Sequence, residues 1–223
     1  MSDHISNAIL VAGGQIESGT PVDAVLDKAQ TPQHFIVGVD GGTDTALALN
    51  LSPSLVIGDM DSISPYVLAT VEAQHIEIIR HSPEKDETDL ELALIEVTQR
   101  GATWIRILGA IGNRLDQTIA NIYLLGLPIL EDIDVKLVAG EQTTWLIGSG
   151  THQLIGQIGD TISLIPFNAD VQGITTDGLK YPLKDEPLAL GPARGVSNVI
   201  ASPKPIVTIK HGQLLVVHTV GRA

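Results

Sequence analysis

Five short apolar runs, at 8–12, 35–39, 55–57, 76–79 and 104–108, alternate with segments of helical pattern near 20–29, 43–50, 65–74, 89–100 and 115–126. Runs of this length, bounded by turn residues, read as buried strands. Parallel strands need crossovers long enough to hold a helix, so the alternation predicts an α/β fold with a doubly wound, mostly parallel, Rossmann-like sheet. Two helix starts are marked. Ser64 precedes Pro65, a capping residue followed by proline at the first helical position. Thr88-Asp-Leu-Glu91 is a capping box, and Leu90, Leu94 and Val97 form an apolar stripe behind it.

After Val135 the rhythm changes. Runs at 143–147, 161–165, 171–175, 195–200, 206–210 and 214–218 are short, closely spaced and rich in β-branched residues. Gly148-Ser-Gly150, Gly159-Asp160, Asp177-Gly178 and Lys210-His-Gly212 separate them as turns, which predicts a smaller all-β sandwich or barrel. Residues 1–135 and 136–223 are therefore expected to be two domains. Charge divides at the same place. The first part holds 20 acidic and 6 basic residues, a balance of −14, and the second holds 6 and 7, a balance of +1.

A net charge of −13 and the lack of a basic stripe argue against a nucleic-acid surface. With no cysteine the chain has no disulfide, thiol nucleophile or thiolate zinc site, which suits a reducing compartment. The longest apolar stretch, 122–130, is broken by Gly126 and Pro128 and is too short to span a bilayer. A soluble, cytoplasmic protein with no membrane partner is expected. Neither a Walker A sequence nor a complete G-x-G-x-x-G is present.

Ligands of open α/β sheets bind beyond the carboxyl ends of the strands, so the residues after each run are the informative ones. They are Asp40-Gly-Gly42, then Gly58-Asp-Met-Asp-Ser62, then a segment containing Lys85-Asp-Glu-Thr-Asp89, then Gly109-Ala-Ile-Gly-Asn-Arg-Leu-Asp116. Each has a bland reading: a turn, a helix-entry loop, an acid beside a helix N-terminus, a surface arginine. Together they bring a row of aspartates to one edge of one sheet. Like charges ~4 Å apart repel by roughly 1 kcal/mol in water and about 4 kcal/mol at an effective dielectric of 20. A divalent cation removes that cost, and a site offering only oxygen favours a hard ion such as Mg²⁺, which completes its shell with substrate phosphates. Gly41, Gly42, Gly109 and Gly112 would let the backbone approach those phosphates, and Lys85 and Arg114 would neutralise them.

These blocks, in this order and spacing, resemble the thiamine pyrophosphokinase family. Asn121 also falls at a family asparagine, and Thr175-Thr-Asp-Gly-Leu-Lys-Tyr181 and Gly195-Val-Ser-Asn198 resemble its thiamine-side segments. Met60, Asn113 and Gln117 depart from the residues usual in the family. The resemblance implies a Mg²⁺- and ATP-binding α/β domain, a thiamine-binding β-sandwich, and a homodimer with active sites between subunits. It implies that Asp59, Asp61 and Asp89 hold magnesium, with Asp86 beside them. Arg114 and Asp116 would join them in catalysis. Asp40, Gly41, Gly42, Lys85, Thr88, Gly109, Gly112 and Asn121 would line the nucleotide side, and Ser197 and Asn198 would face thiamine.

The activity so implied is transfer of diphosphate from ATP to the hydroxyethyl group of thiamine, releasing AMP by in-line displacement. Asp116 and Asp89 both remain open as the group that takes the hydroxyl proton. Two alternatives stand beside it: a diphosphokinase for another alcohol such as a hydroxymethylpterin, and a catalytically silent nucleotide- or thiamine-sensing module.

Overall fold

A computed structural model describes residues 4–222. The chain divides into two compact units between Gly140 and Glu141. In the first, strands β1 (Asn7–Val11), β2 (Phe35–Val39), β3 (Leu55–Gly58), β4 (Glu77–Arg80), β5 (Trp104–Leu108) and β6 (Asp134–Ala139) pair in the order β6-β5-β1-β2-β3-β4. Every one of these pairings is parallel. Helices α1 (Thr20–Ala29), α2 (Gly42–Ala48), α3 (Pro65–Ala73), α4 (Asp89–Gln99) and α5 (Leu115–Tyr123) make the crossovers. Strand order reverses at β1, whose neighbours are β2 and β5, and that reversal opens a crevice at the carboxyl edge.

The sheet centre is dry because both its faces are covered. Residues 8–11 of β1 are wholly inaccessible, and Ile9 and Val11 pack with Val22 and Val25 of α1, Ala46 of α2 and Leu108 of β5. A second cluster joins Val56 to Val67 and Val71 of α3 and includes Met60 and Ile63 from the loop between. The helix starts follow the expected chemistry. Ser64 Oγ accepts from the Val67 amide at 3.4 Å, and Thr88 Oγ1 accepts from the Glu91 amide at 3.2 Å.

Sequence periodicity does not mark β6. It follows the acidic stretch 131–134 and pairs with β5 from Trp104↔Asp134 to Leu108↔Val138. Arg106 fastens that edge. Its guanidinium donates to the carbonyls of Ile105 and Asp134, meets Asp134 Oδ2 at 2.7 Å, and lies 4.1 Å from the Trp104 ring centre. The helix expected over 115–126 stops at Tyr123 and passes into a 3₁₀ turn, Leu124–Gly126.

The second unit contains β7 (Gln142–Ile147), β8 (Gly150–Gln153), β9 (Thr161–Pro166), β10 (Val171–Asp177), β11 (Glu186–Leu188), β12 (Asn198–Val199), β13 (Ile206–Ile209) and β14 (Leu214–Thr219). They form two antiparallel layers, β12-β9-β14-β7 and β11-β10-β13-β8. Trp145, Ile162, Leu164, Leu214 and Val216 of one layer share a core with Ile174, Val207 and Ile209 of the other. The run at 195–200 is a strand only over Asn198–Val199, with Ile200 bridging Leu179, because Ser197 has φ 59° and leaves the extended region.

Polar atoms inside this unit are matched. His218 Nε2 lies 2.7 Å from Asp160 Oδ2, and Asp160 also accepts from the amides of Gln157 and Gly221, each at 2.8 Å. Burial alone would raise the Asp160 carboxyl; the two amides and His218 outweigh it, and the group is held below its ordinary value of 3.8. An acid depressed in the fold stabilises it above the unfolded value, and that contribution is lost as pH falls through the folded value. Asp160→Ala should therefore cost about 3 kcal/mol in urea unfolding at pH 7, because it leaves the Gln157 and Gly221 amides and His218 without their acceptor. Its stability should also change less than the wild type's on acidification below about pH 4. Equal stability at pH 7 would contradict this account.

Candidate active site

The loops after β1, β2, β3, β4 and β5 line one cleft of about 760 Å³ at the carboxyl edge of the first sheet. Its walls are held by backbone. Gly14 donates to the Gly109 carbonyl at 2.8 Å, and Ala12 donates to Leu108 at 2.8 Å. Gly109 has φ +69°, and a Cβ there would lie 2.4 Å from the Ala12 oxygen. A Cβ on Gly42 would lie 2.0 Å from the Val11 oxygen, so only glycine lets α2 start against β1.

Asp40, Asp59 and Asp89 converge within this cleft, each offering a carboxylate oxygen within 4.8 Å of the others. Asp40 closes β2 in the left-handed region, φ 44°, where its amide donates to the Ile57 carbonyl at 2.8 Å. It is 9% exposed, and its Oδ1 has no hydrogen-bond partner. Burial raises its pKa, and the charges of Asp89 and Asp59 push the same way. Hydrogen bonds from Ser62 and the Gly41 amide offset part of this. Asp59 behaves oppositely. The Asp61 amide donates to its Oδ1 at 3.1 Å, and Lys85 lies 3.4 Å from its Oδ2, so its pKa is lowered despite burial.

Lys85 is the internal counter-charge. Its ammonium lies 3.0 Å from Asp89 Oδ1 as an ion pair that lacks hydrogen-bond angles at that oxygen. Burial works against this ammonium, but the two carboxylates outweigh it and raise its pKa. Three carboxylates facing one ammonium, with a buried oxygen left over, suit a hard divalent cation bound through oxygen. With no sulfur or imidazole among the three ligands, the donor set does not suit zinc.

Other predicted residues are placed differently. Asp61 is exposed and accepts from Ser62 Oγ at 2.7 Å, and Asp86 is exposed; the structure brings neither into the three-carboxylate group. Arg114 and Asp116 stand on the exposed rim as a bidentate pair at 2.9 and 2.6 Å. The Arg114 fork lowers the Asp116 carboxyl to about 2. Asn121 lines the cleft and steadies its wall, donating from Nδ2 to the Ala110 carbonyl at 2.8 Å. Gly41, Gly112 and Thr88 line the cleft, with the Thr88 hydroxyl engaged as the cap of α4. The segment Gly13-Gly14-Gln15 also lines it. Gly13 and Gly14 are not among the residues expected above, although they follow a strand like the others and carry the same glycine signal.

In the second unit a smaller hollow of about 220 Å³ is lined by Leu164, 181–183, 194–196 and Asn198. The Asn198 amide is committed to its wall, donating to the Tyr181 carbonyl at 2.7 Å and accepting from the Tyr181 amide at 3.0 Å. Ser197, strained at φ 59°, donates its amide to Ser163 Oγ at 3.1 Å.

A family model of the thiamin pyrophosphokinase catalytic domain matches residues 26–137, and one of the vitamin B1 binding domain of the same enzymes matches 151–216. The thiamine pyrophosphokinase of Bacillus subtilis (strain 168) is 29% identical over 207 residues, covering 92% of this chain and 97% of the relative. Its crystal structure superposes with a TM-score of 0.86 at 27% identity, covering 96% of this chain and 99% of that one. That of the Geobacillus thermodenitrificans enzyme gives 0.82 at 27% identity over 95% and 96%.

The cluster itself is testable without substrate. Asp40→Asn should stabilise the metal-free protein by about 1 kcal/mol, the scale of one carboxylate repulsion ~4 Å away in a watery medium. It should also abolish the rise in Tm that added Mn²⁺ gives the wild type. A mutant with an undiminished Mn²⁺ shift would remove Asp40 from the cation site.

Proposed function

The chain belongs to the thiamine pyrophosphokinase family, and from that premise we propose that it transfers diphosphate from ATP to thiamine, yielding thiamine diphosphate and AMP. The observation that carries the reading is the convergence of Asp40, Asp59 and Asp89 at the carboxyl edge of the first sheet. Both family models fall on this one chain, the catalytic domain first and the vitamin B1 binding domain after it. A pterin diphosphokinase does not account for the vitamin B1 binding segment, and a silent sensor does not account for the match to the catalytic domain beside it.

Asp40, Asp59 and Asp89 would hold Mg²⁺, with Asp61 and Asp86 close enough in sequence to act through its water shell. The ion would supply neutralisation of charge on the transferring phosphates. The chain's own part is positioning. Gly13, Gly14, Gly41, Gly109 and Gly112 line the cleft and would admit a polyphosphate closely, whereas Gly42 is turned against β1; Arg114 would offer the phosphates a planar fork. Arg114 must first leave Asp116, which frees that carboxylate on the rim to accept a proton; Asp89, against Lys85, is the other acceptor. In-line transfer held this way is catalysed by orientation and charge.

The β unit would bind thiamine at the hollow lined by Tyr181 and Asn198; Ser197, between the lining residues Val196 and Asn198, would act from beside it. Thiamine is cationic, which suits an acidic partner surface. A homodimer with sites shared between subunits is part of the proposal. α5 borders the cleft, buries none of its residues, and leaves Leu115 and Ile119 at 69% and 46% exposure. An exposed apolar patch marks an interaction surface, and a two-fold contact would bring this patch against its own copy. Sedimentation of the wild type as a monomer would rule the arrangement out. Among the described residues no helix is long and apolar enough to cross a membrane. A cytoplasmic location is proposed with the cysteine-free composition in its favour, to be checked by cell fractionation.

Incubation with ATP, Mg²⁺ and thiamine should give AMP and thiamine diphosphate in equal amounts, and EDTA should stop it. Asp59→Asn should lower turnover at least roughly a hundredfold, as for loss of one transition-state electrostatic contact. Arg114→Lys should weaken ATP use with normal folding, because an ammonium cannot replace a fork. ADP as product, or turnover undiminished in excess chelator, would contradict the reading.

A further inference from the structure

The charge balance of the acidic cluster is incomplete in a specific way. Lys85 extends from the loop before α4 and lies against two of the three carboxylates, at 3.0 Å from Asp89 Oδ1 and 3.4 Å from Asp59 Oδ2. Its side chain is only 13% exposed, as is that of Asp59. The third acid, Asp40, keeps a buried oxygen that no donor reaches. One ammonium among three carboxylates leaves two negative charges uncompensated.

An ammonium meets carboxylate oxygens at about 3 Å, whereas Mg²⁺ takes them at about 2.1 Å and in fixed octahedral directions. A divalent ion drawing on Asp59 and Asp89 therefore approaches a positive charge already resting on the same groups. At ~4 Å that repulsion is large enough to change an affinity by tenfold or more even in a watery medium.

We propose that Lys85 is a built-in stand-in cation, holding Asp59 and Asp89 together in the metal-free protein and competing with the divalent ion for them. The proposal rests on reading the cluster as a metal site. It makes metal binding weak until the ammonium is drawn off, and phosphate oxygens of an incoming nucleotide are suited to draw it. A lysine that merely braced the loop would have the opposite signature, since its loss would let the acids spread and weaken metal binding.

The test is titration of Mn²⁺ alone, followed by the electron paramagnetic resonance of the free ion, with the fold checked by circular dichroism. Lys85→Met should bind Mn²⁺ at least about tenfold more tightly than the wild type, and adding Asp40→Asn should abolish the gain. Lys85→Arg keeps the charge and should stay at the wild-type affinity; Lys85→Gln serves if the methionine variant does not fold. Equal or weaker binding by the neutral variants would overturn the role of Lys85 while leaving the metal site intact. Absence of Mn²⁺ binding by any variant at millimolar concentration would overturn the site and the proposal together.

Discussion

A parallel sheet delivers every loop that follows its strands to a single edge, and here the strands end in acids. Asp40, Asp59 and Asp89 come from three different loops, yet the register of β2 against β3 and the start of α4 bring their oxygens within 4.8 Å. Each pair of charges at such a distance costs free energy in the absence of a cation. The surrounding structure has to carry that cost. It does so with a dry sheet centre, wholly inaccessible along residues 8–11, and with helices capped by Ser64 and Thr88.

The cost is also partly neutralised at the site. Lys85 covers Asp59 and Asp89, and Arg114 holds Asp116 on the rim. Both cations that would suit phosphate are thus paired with acids of the same cleft, and a phosphate bound there would have to compete with those acids to engage them. Three of the non-glycine residues with positive φ lie in these places, Asp40 within the cluster, Met60 next to Asp59, and Ser197 beside the hollow of the second unit; the others, Asn50, His75 and Asp185, lie elsewhere. Residues held in that region need rigid surroundings, and Met60 has them, packed into the core formed with α3.

The α/β alternation was legible because β1, β2 and β3 lie in short apolar runs, and the helix starts were legible because capping has its own residue code; the strand expected as buried at 76–79 is the edge strand β4, Glu-Ile-Ile-Arg, which buries none of its residues. β6 was hidden by the acidic stretch before it, and β8, Gly-Thr-His-Gln, contains no apolar residue at all. Reading the residues after each strand located the cleft, and the same rule applied to β1 would have added Gly13 and Gly14. Which aspartates share a centre was not legible. Asp59 and Asp61 are two residues apart, but the turn at Met60 directs one inward and leaves the other exposed beside Ser62. Asp40 joins the cluster only through a left-handed backbone and its burial, which are tertiary properties.

The central claim is that three named carboxylates form one cation site at the head of the sheet. Crystals grown with Mn²⁺ and a non-hydrolysable ATP analogue, measured for anomalous scattering, test it directly. The account predicts a peak bonded to oxygens of Asp40, Asp59 and Asp89 at about 2.1 Å, the distance expected for a hard divalent ion of this size. A peak held by Asp61 and Asp86 without Asp40, or one bound by the nucleotide alone, would contradict it.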